Sequence, residues 1–333
     1  MKRYGDIYSK IINMDNLRLA DANARKGKAC TYGVVRHDKN RDANIKELQD
    51  LLEKRAFKTS EYKVFTVFTP KERVVYQLPY YPDRIVHHAV MNVLEPLWVS
   101  TFIRDTYACV KKRGIHDAML RVKKSLTDVQ GTKYCLKLDI RKFYPSVDHT
   151  ILKNIIARKI KCKDTLALLG EIIDSAPGIP IGNYLSQYFA NLYLTYFDHF
   201  LKEKLQVKYV FRYADDIVIL HADKTCLHKV LFEIGKYLRE ELKLDVKSNY
   251  QIFPVDIRGV DFVGFVFRHG HTRMRKNIKK NFCRRLSKIG HLGPKEYKMA
   301  ICGWTGWAKY SDSRHFNKLN IKHNEQSILR RTA

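Results

Sequence analysis

The sequence predicts an α+β fold, an antiparallel sheet that carries acidic side chains at one end and has helices packed on it. Three observations point there. Phe211-Arg212-Tyr213-Ala214-Asp215-Asp216-Ile217-Val218-Ile219-Leu220 sets two adjacent carboxylates between two short β-prone runs, the pattern of a hairpin with its acids at the turn. Residues 134–140, Tyr-Cys-Leu-Lys-Leu-Asp-Ile, alternate, with Tyr134, Leu136 and Leu138 on one face and Cys135, Lys137 and Asp139 on the other. Asp139 therefore ends a strand and points away from its apolar face. Leu227, Val230, Leu231, Ile234, Leu238 and Leu242 then recur at helical spacing, a stripe that packs a helix against a sheet.

The acids set the first chemical question. Asp is common in turns, where its side chain bonds nearby backbone, so the Asp215–Asp216 pair alone is equally compatible with an ordinary turn. A turn needs only one Asp, however, and both flanks are apolar enough to be buried. Two carboxylates at the edge of a core repel each other and lose hydration, and one stays protonated unless a cation is present. A third acid, Asp139, completes the minimum for a two-metal site, which clamps the attacking and leaving oxygens of an in-line phosphoryl displacement. Carboxylate oxygens suit hard Mg²⁺, which keeps waters and substrate phosphates in its other positions.

Composition agrees with a polyanionic partner. The 333 residues carry 62 Lys and Arg against 34 Asp and Glu, a formal net charge of +28, and phosphate neutralisation with counterion release dominates nucleic-acid affinity. Aromatic residues at 12%, with 20 tyrosines, can stack on bases. Hydrophobic residues at 45% suffice for a large core. Seven cysteines, odd in number and without a C-x-x-C pair, argue against a disulfide framework or a zinc site. Apolar runs fall far short of the roughly 20 residues a membrane span needs, and the N-terminus lacks a signal-peptide apolar core. The expectation is a soluble, cytoplasmic protein with no membrane partner.

In chain order, residues 1 to about 57 read as helical, with apolar positions at Ile11, Ile12, Leu19, Ile45, Leu48, Leu51 and Leu52. Between them Arg25, Lys26, Lys28, Arg36, Lys39 and Arg41 form either a solvated surface or an RNA contact. Residues 62–68 and 74–78 read as strands joined by the basic turn Thr69-Pro70-Lys71-Glu72-Arg73, and residues 82–103 as a helix. Residues 148–175 read as two helices starting at Asp148. In Gly178-Ile179-Pro180-Ile181-Gly182-Asn183-Tyr184-Leu185-Ser186-Gln187, two glycines and a proline let backbone approach a ligand just before a helix begins. That helix is marked by Leu185, Phe189, Leu192, Tyr196 and Phe200. Residues 260–267 read as a hairpin around Gly264. From 273 to 333 the chain holds 16 Lys and Arg but 3 Asp and Glu. A helix there has Ile278, Phe282, Leu286 and Ile289 on one side and Lys276, Lys279, Lys280, Arg284 and Lys288 around the other, a split that packs inward and offers cations to phosphates.

These stretches together resemble the prokaryotic reverse transcriptases. Leu138-Asp139 followed by Phe143-Tyr144 resembles the family's first catalytic motif, and Tyr213-Ala214-Asp215-Asp216 its second. Tyr107-Ala108-Cys109-Val110-Lys111-Lys112-Arg113-Gly114-Ile115-His116 resembles a further motif, departing from it at Val110 and Ile115. The resemblance runs from about Lys71 to the C-terminus. It implies a right-hand polymerase, with an N-terminal extension and fingers over 1–132, a palm over 133–267 (fingers helices at about 148–177) and a helical basic thumb over 268–333. It also implies two Mg²⁺, with Mn²⁺ as substitute, held by Asp139, Asp215 and the Ile140 carbonyl with Asp216 in support, and deoxynucleoside triphosphates (dNTPs) as substrates. Lys71 and Arg73 would cover the incoming triphosphate, and Lys247 would approach the leaving pyrophosphate. Tyr144 would be the aromatic gate under the sugar, and Ile181 and Gly182 would line the nucleotide pocket. Ser186, Gln187, Gly264, Lys276, Lys279, Lys280 and Arg284 would meet primer and template. An exposed turn or surface charge at Lys71, Arg73 and Lys247, and a buried corner tyrosine at Tyr144, fit the same positions.

Ile181-Gly182-x-x-x-Ser186-Gln187 resembles, within that family, the enzymes of diversity-generating retroelements, where intron, retron and retroviral members usually have Gln-Gly and Ser-Pro. This implies error-prone copying of a template-repeat RNA into cDNA with adenine-directed mutagenesis of a variable gene (mutagenic retrohoming), in a bacterial or phage-infected cell. It also implies a small, basic, helical and oligomeric accessory variability protein as partner. The short stretch after Trp307 gives the expectation of a chain without an endonuclease domain. Ile in place of Gln removes an amide near the nucleotide. Losing one neutral hydrogen bond is worth roughly 0.5–1.5 kcal/mol, up to about tenfold in selectivity. Intron-like, retron-like and defence-associated reverse transcriptases, and an RNA-binding protein without catalysis, are the competing readings.

Overall fold

The structure, a computed structural model, describes residues 3–68, 72–289 and 292–312. Helices α1 Tyr8–Ile12, α2 Met14–Ala24, α3 Tyr32–Asp38 and α4 Arg41–Glu53 precede the hairpin β1 Lys63–Val67 and β2 Arg73–Gln77, then α5 Ile85–Val99 and α6 Ile115–Ser125. Strand β3 Tyr134–Asp139 is followed by α7 His149–Ala157, α8 Lys163–Asp174, α9 Ser186–Tyr193 and α10 Thr195–His199. Strands β4 Tyr209–Tyr213 and β5 Asp216–His221 lead to α11 Lys224–Leu242, β6 Gln251–Pro254 and the single turn α12 Val255–Arg258. Strands β7 Val260–Phe262, β8 Phe265–Arg268 and β9 His271–Met274 and helices α13 Lys276–Lys288 and α14 Pro294–Lys309 complete the described chain. No helix among the described residues is long and apolar enough to cross a membrane.

The chain folds as two compact units, each discontinuous in sequence. The first comprises the chain up to Arg104, Ile140–Lys204 and Gly235–Val246; the second comprises Asp105–Asp139, Leu205–Ile234 and the chain from Lys247 on.

Helices dominate the first unit. α2 buries Leu17, Ala20, Asp21 and Ala24, one face at spacings of three and four, and α5 buries Ile85, Val86, Ala89, Val90, Leu94 and Trp98. Burying each large side chain of this kind stabilises by about 1.5–3 kcal/mol. Asp21 is fully buried yet satisfied, accepting from Tyr80 Oη at 2.5 Å, Arg25 Nη2 at 2.8 Å and Arg41 Nε at 2.7 Å. Arg25 and Arg41 thus serve this buried carboxylate, and α3 occupies the region read as a basic loop. Asp148 caps α7, its carboxylate accepting from the Ile151 N–H at 3.0 Å. The helix after Ser186 breaks at Leu194, where ψ rises to 2°. The break shifts the buried stripe by one residue, so Phe197 and Leu201 are buried where the spacing predicts Tyr196 and Phe200.

The second unit is built on an antiparallel sheet ordered β4-β5-β3-β6, with Asp139 directly opposite Asp216 and Tyr213 opposite Asp216 on the other side. Both faces are covered: Leu136, Leu138, Ile217 and Ile219 are buried on one, and Cys135, Val218, Leu220, Phe211 and Phe253 on the other. The second face packs with Ala118, Met119 and Val122 of α6 and with Phe262, Phe265 and Phe267 of a smaller sheet ordered β7-β8-β9. The alternation of residues 134–140 thus separates two buried layers, and only the Lys137–Asp139 end of the second opens to solvent. Helix α13 buries Phe282 and Leu286 together with Ile289 and, from α14, Tyr297 and Ile301, while Lys276, Lys280 and Arg284 stay exposed.

Candidate active site

Strands β4 and β5 are joined by two residues, Ala214 and Asp215. So tight a turn needs a positive φ, and Ala214 takes it at +56°, a conformation that costs a non-glycine residue roughly 1–2 kcal/mol. Arg212 holds the turn. It is 1% exposed, its guanidinium donates to the Ala214 carbonyl at 3.0 Å, and its backbone bonds Asp105 and Tyr107 at 3.0 Å each. Sequence reading gave Arg212 no role, although a lone charge inside the apolar run Tyr209–Tyr213 is a visible signal of a buried polar contact.

The turn delivers Asp215 beside Asp139. Burial, the Asp139 charge and a hydrogen bond between the two carboxyls push Asp215 up to about 6. Burial also pushes Asp216 up to about 6, with Lys137 opposing and the Asp139 and Asp261 charges adding to the rise. Lys137 Nζ lies 3.6 Å from Asp216 Oδ1, an ion-pair distance too long for a hydrogen bond, and that buried oxygen has no hydrogen-bond partner. Lys247 donates its N–H to the Asp139 carbonyl at 2.9 Å and sets Nζ 3.5 Å from Asp139 Oδ2. Ile140 forms an isolated bridge with Val246.

The donor set suits a hard divalent cation: three carboxylates, one with an orphaned buried oxygen, and one, Asp215, whose pKa is raised by burial and by the neighbouring Asp139 charge. As the side chains stand, no group of three His, Cys, Asp or Glu among the described residues closes on a common point. Asp139 and Asp215 meet, and Asp216 faces Lys137.

In the first unit, Tyr144 begins a short 3₁₀ turn and is half-buried, its carbonyl accepting from the Ile179 N–H at 2.8 Å. Gly178, at φ +59°, lies so close to that turn that a Cβ would come within 2.6 Å of the Tyr144 carbonyl oxygen. The Ile181 carbonyl accepts from the Tyr76 N–H at 2.8 Å. This places Ile181 and Gly182 on the edge of β2, the strand that begins at Arg73. Arg73 is exposed, and Lys71 lies outside the described residues. Ser186 is buried and donates to the Pro180 carbonyl at 2.6 Å, closing its own loop, while Gln187 is exposed.

In the second unit, Gly264 turns at φ +87°, and the space a side chain would take is filled by Trp307 of α14 and Ile278 of α13. Trp307 also stacks on Phe265 at 5.1 Å. Lys279 is half-buried, and burial together with nearby Arg273 lowers its pKa.

An antiparallel sheet with paired acids at its head is a setting for metal-assisted phosphoryl transfer, and similarity to known proteins narrows the class. The sequence profile of the family described as reverse transcriptase (RNA-dependent DNA polymerase) matches residues 58–266. The chain belongs to that family. Protein YkfC of Escherichia coli (strain K12) is 29% identical over 140 residues, 38% of this chain and 37% of that protein. The group II intron-encoded protein LtrA of Lactococcus lactis subsp. cremoris is 26% identical over 189 residues, 52% of this chain and 30% of LtrA. The chain thus spans only about a third of the length of those two. The retron Ec73 reverse transcriptase of Escherichia coli is 28% identical over 238 residues, 65% of this chain and 73% of that enzyme. Among solved structures, apo telomerase from Candida tropicalis superposes with a TM-score of 0.51 at 14% identity, over 79% of this chain and 62% of that one. The fold is that of the right-hand polymerases.

Proposed function

We propose that the chain is an error-prone RNA-directed DNA polymerase of the diversity-generating retroelement type. It copies a template-repeat RNA into cDNA, with substitutions concentrated opposite adenine, for mutagenic retrohoming into a variable gene. The observation that carries the polymerase reading is the register that sets Asp139 opposite Asp216 with Asp215 in the turn between β4 and β5. The retroelement reading rests on Ile181-Gly182-x-x-x-Ser186-Gln187. A small basic accessory protein would be the partner.

Asp139, Asp215 and the Ile140 carbonyl would hold two Mg²⁺, or Mn²⁺ in their place, with Asp216 in support. When bound, the ions would supply Lewis-acid stabilisation of the attacking 3′-oxygen and the leaving pyrophosphate. The chain's own residues do the rest. Lys247 neutralises Asp139 and stands ready to donate a proton on the pyrophosphate side. Arg73, with Lys71, meets the triphosphate, Tyr144 excludes a 2′-hydroxyl, and Ile181 presents a branched apolar surface with no hydrogen bond to offer the nucleotide. Primer and template phosphates lie along Lys276, Lys279, Lys280 and Arg284, with Ser186, Gln187 and Gly264 shaping the backbone beside them. In this reading the fingers, palm and thumb divide at 132/133 and 267/268. A retron-type enzyme is the second reading, favoured by the 73% of the retron Ec73 reverse transcriptase that aligns.

One assay tests both parts: extension of a DNA primer on an RNA template, with the product sequenced. The wild-type chain should extend in Mg²⁺ and misincorporate mainly opposite adenine. Asp215→Asn should abolish extension and leave RNA affinity within about twofold, since the basic surface is untouched. Ile181→Gln should lower misincorporation opposite adenine by up to about tenfold. A uniform error spectrum in the wild type would reject the retroelement reading and leave the retron-type one. No extension in either metal would reject the polymerase reading itself.

A further inference from the structure

A line of charged side chains runs from the acid turn to the base of α13. Lys137 sits on β3 two residues before Asp139 and so faces the same side of the sheet. Its Nζ lies 3.6 Å from Asp216 Oδ1 and donates to the backbone carbonyl of Asp261, in the middle of β7. The Asp261 carboxylate in turn accepts from Arg275 Nε at 2.7 Å and from its Nη2. Arg275 is the cap residue of α13, and its N–H donates to the Gly264 carbonyl at 2.9 Å, in the turn between β7 and β8. Asp216, Lys137, Asp261 and Arg275 therefore alternate in sign, and the line passes through the backbone of β7.

Isolated ion pairs with this much exposure, 25% for Lys137 and 35% for Arg275, contribute little to folding stability. What they do fix is relative position, because Lys137 is anchored at two points and Arg275 joins its carboxylate partner through two nitrogens. We infer that Lys137, Asp261 and Arg275 form a positioning relay that registers the β7–β8 hairpin and the first turn of α13 to Asp216. A strand terminus resting on the hairpin and the acids that act on it then move as one body. The relay also keeps a fourth carboxylate, Asp261, neutralised beside the acids. Its kinetic consequence rests on the polymerase reading above; its geometry does not.

Lys137→Met keeps the aliphatic stem and removes the charge; Lys137→Arg keeps the charge. In primer extension Lys137→Met should lower kcat about 10- to 100-fold, the cost of a misplaced reacting group, with KM for dNTP within twofold, and Lys137→Arg should restore most of it. Mn²⁺ binding, read by electron paramagnetic resonance, should tighten about threefold or more in Lys137→Met, because a competing cation beside Asp216 has gone. A collapsed site would instead lose both rate and Mn²⁺ affinity, and that result overturns the relay. Arg275→Gln added to Lys137→Met should change kcat by less than twofold, since the line is already cut; multiplied losses overturn it. Should the wild type prove inactive, the polymerase reading fails, and backbone amide exchange over β7–β8 without metal decides the relay: faster exchange in Lys137→Met, restored in Lys137→Arg, supports it, and unchanged exchange rejects it.

Discussion

Gly182 is the residue on which the loop of residues 178–187 depends. Its φ is +121°, and a Cβ there would come within 2.4 Å of the Tyr76 carbonyl oxygen and 3.2 Å of Val75 Cγ1. Both neighbours belong to β2, and the closer one is backbone, which no side-chain rotation can relieve. Gly182→Ala must therefore break the Tyr76–Ile181 bond or displace the strand, at a cost of about 1–3 kcal/mol in strained backbone. Thermal unfolding should show that loss, and primer extension should fall at least about tenfold through KM for dNTP if the loop seats the nucleotide. Gly303→Ala, inside α14 with nothing within 4 Å of its Cβ position, is the control: it should raise stability by about 0.5–1 kcal/mol and leave extension unchanged. Gly264 teaches the reverse lesson. The sequence shows a glycine beside aromatics; the structure adds that, at φ +87°, the space its side chain would take is filled by Trp307 and Ile278, more than ten residues away. A glycine's freedom is visible in sequence; what closes on it is not.

Among the elements, α5 carries the clearest dependence on pH. His87 is fully buried, Nε2 has no hydrogen-bond partner, and burial, with His88 and Arg84 adding to it, pushes its pKa down to about 3. The imidazole is thus neutral in the folded chain at any pH above that, while in the unfolded chain it protonates near 6.5. Its contribution is fully favourable above pH 6.5 and is lost as pH falls from there toward 3, by about 1.4 kcal/mol per pH unit. Urea unfolding between pH 6.5 and 5 should show about 2 kcal/mol of lost stability from this residue, and His87→Leu should remove that part of the slope. Parallel curves for the two proteins would mean that the imidazole is not buried neutral. Strands and helices with one dominant period, β3, β5, α11 and α13, were legible because six to nineteen residues repeat one pattern. Where a distant partner set the outcome, they were not. Cys135 looks solvent-facing by alternation until Phe211 and Phe253 cover it. Arg25 and Arg41 look like loop charges until Asp21 is seen buried between them. The strand β9 has only Thr272 and Met274 facing inward, too few for a pattern.

At the scale of the whole molecule, a net charge of +28 raises the compact state's self-repulsion and so implies a polyanion over much of its life. The question is where the phosphates sit, and α13 gives a measurable answer. Lys276, Lys280 and Arg284 are exposed on the side opposite Phe282 and Leu286. Each phosphate of a single strand that a cation neutralises adds about −0.7 to the slope of log affinity against log salt. Three contacts therefore account for a slope of about −2, and raising salt fourfold weakens that share of binding roughly 20-fold. Replacing all three residues by Gln should make the slope for RNA shallower by about 2 and lower affinity most at low salt. Asp215→Asn should leave the slope where it was, because the acids contribute no counterion release. A triple variant with an unchanged slope would place the phosphates on other cations and leave α13 as a packing helix whose charges serve only solubility.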